Sequence, residues 1–207
     1  MRPLPRVHAV TSTEVCAGAD FGARAAAIAA AGPAVALHAR DRAATGAALT
    51  HLTLRLLALA RPPEASVFVN GRPDLASALG AHGVQLGSTD LSAGDARRVF
   101  DAGWIGRSVH TLAEATEAVE DGADFLLVGT VYPSDSHPGQ PAVGLELVRQ
   151  AAALGRPVIA IGGITPDRAP EIRAAGAYGA AAISALWHAG DPAAATLALL
   201  EPWLRDP

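Results

Sequence analysis

Two segments of the chain carry the parts of an anion site. One is Ile161-Gly162-Gly163-Ile164-Thr165, the other Ile183-Ser184-Ala185. Paired glycines leave backbone N–H groups open to an oxyanion, and Ser184 adds a hydroxyl. Together they predict a bound phosphate ester; the glycines alone would equally serve a tight turn. A second group is His38-Ala39-Arg40-Asp41-Arg42. Arg40 and Arg42 point the same way from an extended segment. Guanidinium groups suit bidentate oxyanion recognition. Asp41 between them offers the alternative of a surface ion-pair cluster.

Four further groups have chemical potential. Asn70-Gly71-Arg72 holds the only asparagine of the chain, in a dipeptide that also favours turns. Gln85 is a polar residue inside the apolar run 83–86, and Asp90 follows it. Arg107-Ser108-Val109-His110 sets three polar side chains close together. The stretch 132–139 (YPSDSHPG) is long for a connection between a strand and a helix, and such loops serve as lids or binding loops. Ser134, Ser136 and His137 give it two hydroxyls and one titratable ring.

These residues need elements to position them. Short apolar runs at 6–12, 34–37, 66–70, 83–86, 104–108, 125–128, 157–161 and 179–183 predict eight strands. They lack polar alternation, the mark of strands buried on both faces. Between them, 21–31, 47–60, 74–79, 92–102, 112–121, 145–153, 167–175 and 191–204 predict eight helices. Eight alternating units in one undivided chain favour a single-domain (β/α)₈ TIM barrel over an open doubly wound sheet. The missing GxGxxG after the first strand weakens the open-sheet alternative. In a barrel, function sits at the carboxyl ends of the strands, and a phosphate commonly sits after the seventh and eighth. Gly162, Gly163 and Ser184 fall there.

Composition narrows the classes. The 207 residues are 50% hydrophobic and 17% charged, which excludes a disordered chain. A net charge of −4 argues against a general nucleic-acid or anionic-membrane binder. One cysteine excludes a disulfide framework and a cysteine-cluster metal site. No signal-peptide pattern and no apolar run long enough to span a bilayer is present, so the sequence reads as a soluble cytoplasmic protein. All 16 basic residues are arginine. Schiff-base chemistry and a P-loop lysine are therefore closed to this chain.

The segments at 69–76 (VNGRPDLA), 83–91 (GVQLGSTDL), 105–115 (IGRSVHTLAEA), 122–139 (GADFLLVGTVYPSDSHPG) and 157–168 (PVIAIGGITPDR) resemble, in order and spacing, the thiamine phosphate synthase/TenI superfamily. The resemblance runs from Val7 to about Leu204. It implies the (β/α)₈ barrel and a thiazole phosphate ligand on Gly162, Gly163, Ile183, Ser184 and Ala185.

Within that superfamily the motifs divide. Synthases have an Asn-Asp pair whose aspartate binds magnesium, and here it reads Asn70-Gly71. Their lid carries Thr-x-Thr-Lys, and here it reads Ser134-Asp135-Ser136-His137. Asp90 matches a second magnesium-linked aspartate, and Ser108 a pocket serine. Asn70-Gly71-Arg72, Val84-Gln85-Leu86 and the 105–110 segment look closer to the TenI branch, whose members are metal-free thiazole tautomerases. The favoured expectation is thus tautomerisation of thiazole phosphate carboxylate without a cofactor. Arg40 and Arg42, with Asn70, would hold the carboxylate. Gln85, Ser108, Ser134 and Ser136 would line the pocket. Thr130 stands where the tautomerase has its acid/base histidine, so His137, or else His110, would move the proton. The alternatives are a thiamine phosphate synthase with Mg²⁺ at Asp90, and a non-catalytic binder or regulator of the same pathway. The implied partner is a small phosphorylated ligand, with no nucleic acid or membrane; TenI relatives often self-associate, which is compatible with a homo-oligomer.

Overall fold

A computed structural model describes residues 2–60, 65–134 and 142–204. Eight parallel strands close into a barrel in sequence order: β1 (Val7–Val10), β2 (Val35–Ala39), β3 (Ser66–Asn70), β4 (Gly83–Leu86), β5 (Trp104–Val109), β6 (Phe125–Val128), β7 (Val158–Ile161) and β8 (Gly179–Ala182). β8 returns to β1 with Val7 opposite Ala180. The expected (β/α)₈ architecture is what the chain adopts.

The helices that flank the strands are α1 (Thr13–Ala17), α2 (Phe21–Ala29), α3 (Gly46–Ala60), α4 (Pro73–Leu79), α5 (Ala93–Val99), α6 (Leu112–Glu120), α7 (Gly144–Ala152), α8 (Ala169–Ala174), α9 (Ser184–Trp187) and α10 (Pro192–Leu204). Two of these exceed the eight expected. α1 exists because Ser12, expected as the end of a strand, turns and caps it: the Ser12 hydroxyl accepts the Val15 N–H at 3.3 Å. α9 is a single short turn directly after β8. β2 runs two residues further than expected, so His38 lies within the sheet. The helix expected over 92–102 stops at Val99, because Phe100 turns to extended backbone.

The apolar residues form two layers. Val7, Ala9, Leu37, Val67, Val69, Ile105 and Val128 face outward, under the helices. Alternate residues face inward, and there Phe68, Phe125, Leu127 and Ile159 pack with Ala36 and Ala181. Size is balanced across neighbouring strands. Phe68 lies in register with Gly83, and Phe125 with Gly106. A Cβ on Gly83 would come within 2.2 Å of the Phe68 ring, and one on Gly106 within 2.1 Å of Phe125. The two rings meet edge to face at 5.9 Å and plug the middle of the barrel.

The amino-terminal end is sealed by the segment before β1. The Trp104 indole donates to the Arg2 carbonyl at 2.9 Å, and the Tyr178 hydroxyl donates to Leu4 at 2.8 Å. Open space is therefore left at the carboxyl ends of the strands. No helix among the described residues is long and apolar enough to cross a membrane.

Gly83→Ala forces a methyl into the Phe68 ring. It is expected to cost about 1–3 kcal/mol, the range for overpacking. Urea unfolding of the single variant and of Gly83→Ala/Phe68→Leu checks this: the second change should recover part of the loss.

Candidate active site

The carboxyl ends of the strands surround a cavity of about 970 Å³. Arg40, Arg42, Asn70, Gln85, Asp90, Ser108, His110, Thr130 and Ser134 line it. So do Gly162, Gly163, Ile183, Ser184 and Ala185. The structure thus brings together every sequence-predicted site residue it describes. Ser136 and His137 lie outside the described residues.

Gly162 and Gly163 form one arc of the wall, with φ of 99° and 62°. Both angles lie where only glycine is unstrained. Space is also short: a Cβ on Gly162 would meet the Thr130 side chain at 2.4 Å, and one on Gly163 the Pro133 carbonyl at 2.7 Å. Thr130 thus packs directly against the glycine pair. Ser184 begins α9, where the first N–H groups have no acceptor within the helix. Arg168, unremarked in the sequence, also reaches this arc. It donates to the Gly163 carbonyl at 2.5 Å, and its guanidinium lies 4.4 Å from the centre of the Tyr132 ring.

Arg40 and Arg42 occupy a separate arc beyond β2. Thr11 joins the ends of β1 and β2: its hydroxyl oxygen accepts the Arg40 N–H at 2.9 Å and lies 2.7 Å from the Arg40 carbonyl. Burial, and then the nearby Arg42 charge, lower the Arg40 pKa from its ordinary value. Two neighbouring cations, one of them partly desolvated, favour a ligand of high negative charge. Asp90 lines the same cavity. Its Oδ2 accepts the Gly87 N–H at 2.6 Å. A Cβ on Gly71 would lie 3.0 Å from its Oδ1. Gly71, with φ of 71°, leaves that side of the carboxylate open.

On β3 to β5 the wall carries amide and hydroxyl side chains. Asn70 and Gln85 are in register on β3 and β4. Gln85 Nε2 donates to Ser108 Oγ at 3.0 Å, while its buried Oε1 has no partner among the described residues. Beneath Asn70 lie two histidines that sequence reasoning left without a role. His38 Nδ1 is 3.2 Å from Asn70 Oδ1, His38 Nε2 is 2.8 Å from His8 Nδ1, and His8 Nε2 is 3.1 Å from the Pro5 carbonyl. Both rings are fully buried and pack on Phe68. Burial holds the His38 pKa down to about 4 and that of His8 well below its ordinary range. The signal that exposed Gln85, a polar residue in an apolar strand, applied equally to His8 and His38.

His110 is exposed on the rim. Glu114 accepts its backbone N–H at 2.6 Å and lies 3.3 Å from Nδ1. Among the described residues no three His, Cys, Asp or Glu side chains converge on a metal position.

The model of the family described as thiamine monophosphate synthase matches residues 7–186. The chain belongs to that family. The thiamine-phosphate synthase of Thermus thermophilus is 47% identical over 149 residues, 71% of this chain and 72% of that protein. The enzyme of the same name from Salinispora tropica is 47% identical over 153 residues, 72% of this chain and 74% of that protein. The solved structure of thiamine phosphate pyrophosphorylase from Pyrococcus furiosus superposes with a TM-score of 0.79 at 32% identity, covering 95% of this chain and 94% of that one.

These relatives correct the expected activity. The tautomerase expectation is overturned, because the curated relatives at 41–47% identity are synthases. The acid–base task given to His137 and His110 belonged to that expectation and goes with it. At the glycine pair itself the structure places the Thr130 side chain, a poor base at neutral pH.

Two predictions follow from this geometry. Gly163→Ala is expected to weaken binding of a phosphate ester about tenfold, measured by calorimetry, with the circular dichroism spectrum unchanged; that is about 1.4 kcal/mol. The buried histidines set a pH dependence. Their folded pKa values lie below the unfolded value of 6.5, so from about pH 6.5 down to about 4 the unfolded chain binds protons that the folded chain refuses. Stability is therefore fully present above pH 6.5. It should fall by about 1.4 kcal/mol per pH unit for each such group below it. Urea unfolding between pH 7 and 5 should show that slope, shallower in His8→Phe.

Proposed function

We propose that this protein is a thiamine-phosphate synthase. It joins a thiazole phosphate to hydroxymethylpyrimidine diphosphate and releases pyrophosphate. The observation that carries this reading is two groups of anion-suited residues in one cavity: Gly162, Gly163 and Ser184 after β7 and β8, and Arg40 and Arg42 after β2. A tautomerase handles a single phosphorylated ligand. A synthase must hold two at once, and two groups of anion-suited residues in one cavity support that reading.

The chemistry assigns the arcs. The C–O bond between the pyrimidine's methylene carbon and the diphosphate breaks, and its electron pair leaves with the diphosphate. The thiazole nitrogen supplies the pair for the new C–N bond. Negative charge grows on the leaving group, where Arg40 and Arg42 would offset it. The glycine arc holds the thiazole phosphate, and Thr130 and Ser134 line the space between. Arg42 also answers the missing lid lysine, since guanidinium carries the same charge and binds phosphate in a bidentate manner.

Synthases of this family use Mg²⁺, and the donor set here fits that ion. Magnesium is bound through one or two carboxylates, substrate phosphates and retained waters. Asp90 presents one carboxylate to the cavity, open over Gly71. When bound, the ion supplies countercharge to the diphosphate. Asp90 would hold it.

The test is direct. With both substrates and Mg²⁺, the purified protein should form thiamine phosphate and pyrophosphate in equal amounts. A chelator should abolish the reaction, and Asp90→Asn should lower kcat/KM by on the order of 10². Absence of product with both substrates present would reject the reading.

A further inference from the structure

The buried chain from Pro5 through His8 and His38 to Asn70 has only one arrangement of protons that suits two neutral rings. The Pro5 carbonyl can only accept. His8 Nε2, 3.1 Å away, must therefore carry a hydrogen. A neutral imidazole has one N–H, so His8 Nδ1 is a bare acceptor. His38 Nε2, 2.8 Å from it, must then be the donor. That leaves His38 Nδ1 as a bare acceptor, and the atom set 3.2 Å from it is Asn70 Oδ1, acceptor against acceptor, so two neutral rings require the amide turned over from that placement. Only the –NH₂ end of an amide can satisfy it. The oxygen and nitrogen of an amide are isosteric, and the hydrogen bonds they make decide which faces which neighbour.

We infer that the His8–His38 pair is a positioning device that turns the Asn70 amide nitrogen down to His38 and its carbonyl oxygen up to the cavity. The neutrality of both rings follows from their setting. They are fully buried, contact each other and pack on Phe68, and the Arg40 charge acts on His38. Among the described residues no carboxylate acts on either ring to pair with a cation there. One extra proton on the chain would reverse the amide, so the orientation is set by burial at the far end, not by Asn70 itself.

The consequence is specificity. Gln85, in register beside Asn70, has already committed its –NH₂ to Ser108 and leaves Oε1 unpartnered. The wall at β3 thus turns the Asn70 carbonyl to the cavity, while Gln85 Oε1 stays buried against Gly106. Carbonyl oxygens repel phosphate oxygens and accept from N–H groups. This stretch therefore takes an amino-bearing ring, with the phosphates directed away to the arginines and glycines. The orientation of the amide stands on the hydrogen bonds alone; its role in seating the ring rests on the synthase reading.

Long-range ¹H–¹⁵N correlation spectra of histidine-labelled protein at pH 7 read the tautomers directly. His8→Phe and His38→Gln identify the two signals among the seven histidines. Both rings are expected as Nε2–H tautomers. An Nδ1–H or doubly protonated His38 would overturn the inference, and needs no variant to be seen. The second readout is kinetic. His8→Phe keeps an aromatic ring between Phe68 and Phe125 while removing the acceptor for His38. The KM for the pyrimidine diphosphate should rise about fivefold, with the KM for thiazole phosphate unchanged. Equal rises in both would mark a merely structural role and also overturn the inference. A wild type without synthase activity would reject the proposed function, while the tautomers would still decide the amide's orientation.

Discussion

The structure depends on how the inside of an eight-stranded barrel is filled. Its interior is narrow, so a large inward side chain needs a small one across the ladder. Phe68 over Gly83 and Phe125 over Gly106 meet that need at mid-height. Their rings close the barrel from below and fix how deep the cavity reaches. What stands above them is then a matter of strand register. Asn70 follows Phe68 by two residues, Gln85 follows Gly83, and Ser108 follows Gly106. The packing rule that fills the core also selects the residues of the wall.

The same register separates charge from neutrality. The arginines come from the loop beyond β2, and the glycine pair and Ser184 from beyond β7 and β8. The amides of β3 and β4 stand next to the arginines, and β1 alone separates the arginine strand from β8. The polar atoms beneath are satisfied internally, through His38, His8 and the Pro5 carbonyl, at the base of an otherwise apolar interior.

Much of this was legible in the sequence. β3, β4 and β6 run over the expected residues, because Gly, Asn or charged residues bound their apolar runs sharply. The glycine pair and the two arginines could be placed from strand order alone. The histidine chain could not. Strands buried on both faces lose the alternation that would say which residues point inward, so His8 and His38 were indistinguishable from wall residues. α1 was hidden because Ser12 serves equally as a strand end and a helix cap. The choice of branch went astray on two local departures, Gly71 and the absent lysine. Neither rules out the synthase chemistry proposed above. Arginine carries lysine's charge, and one carboxylate with the substrate's own oxygens suits magnesium.

The most direct test of the account is a crystal structure with thiamine phosphate and pyrophosphate both bound. The account predicts the ester phosphate on Gly162, Gly163 and Ser184, the pyrophosphate on Arg40 and Arg42, and the pyrimidine against Asn70 and Gln85. Both anions on a single arc, or a ligand outside the barrel mouth, would contradict it.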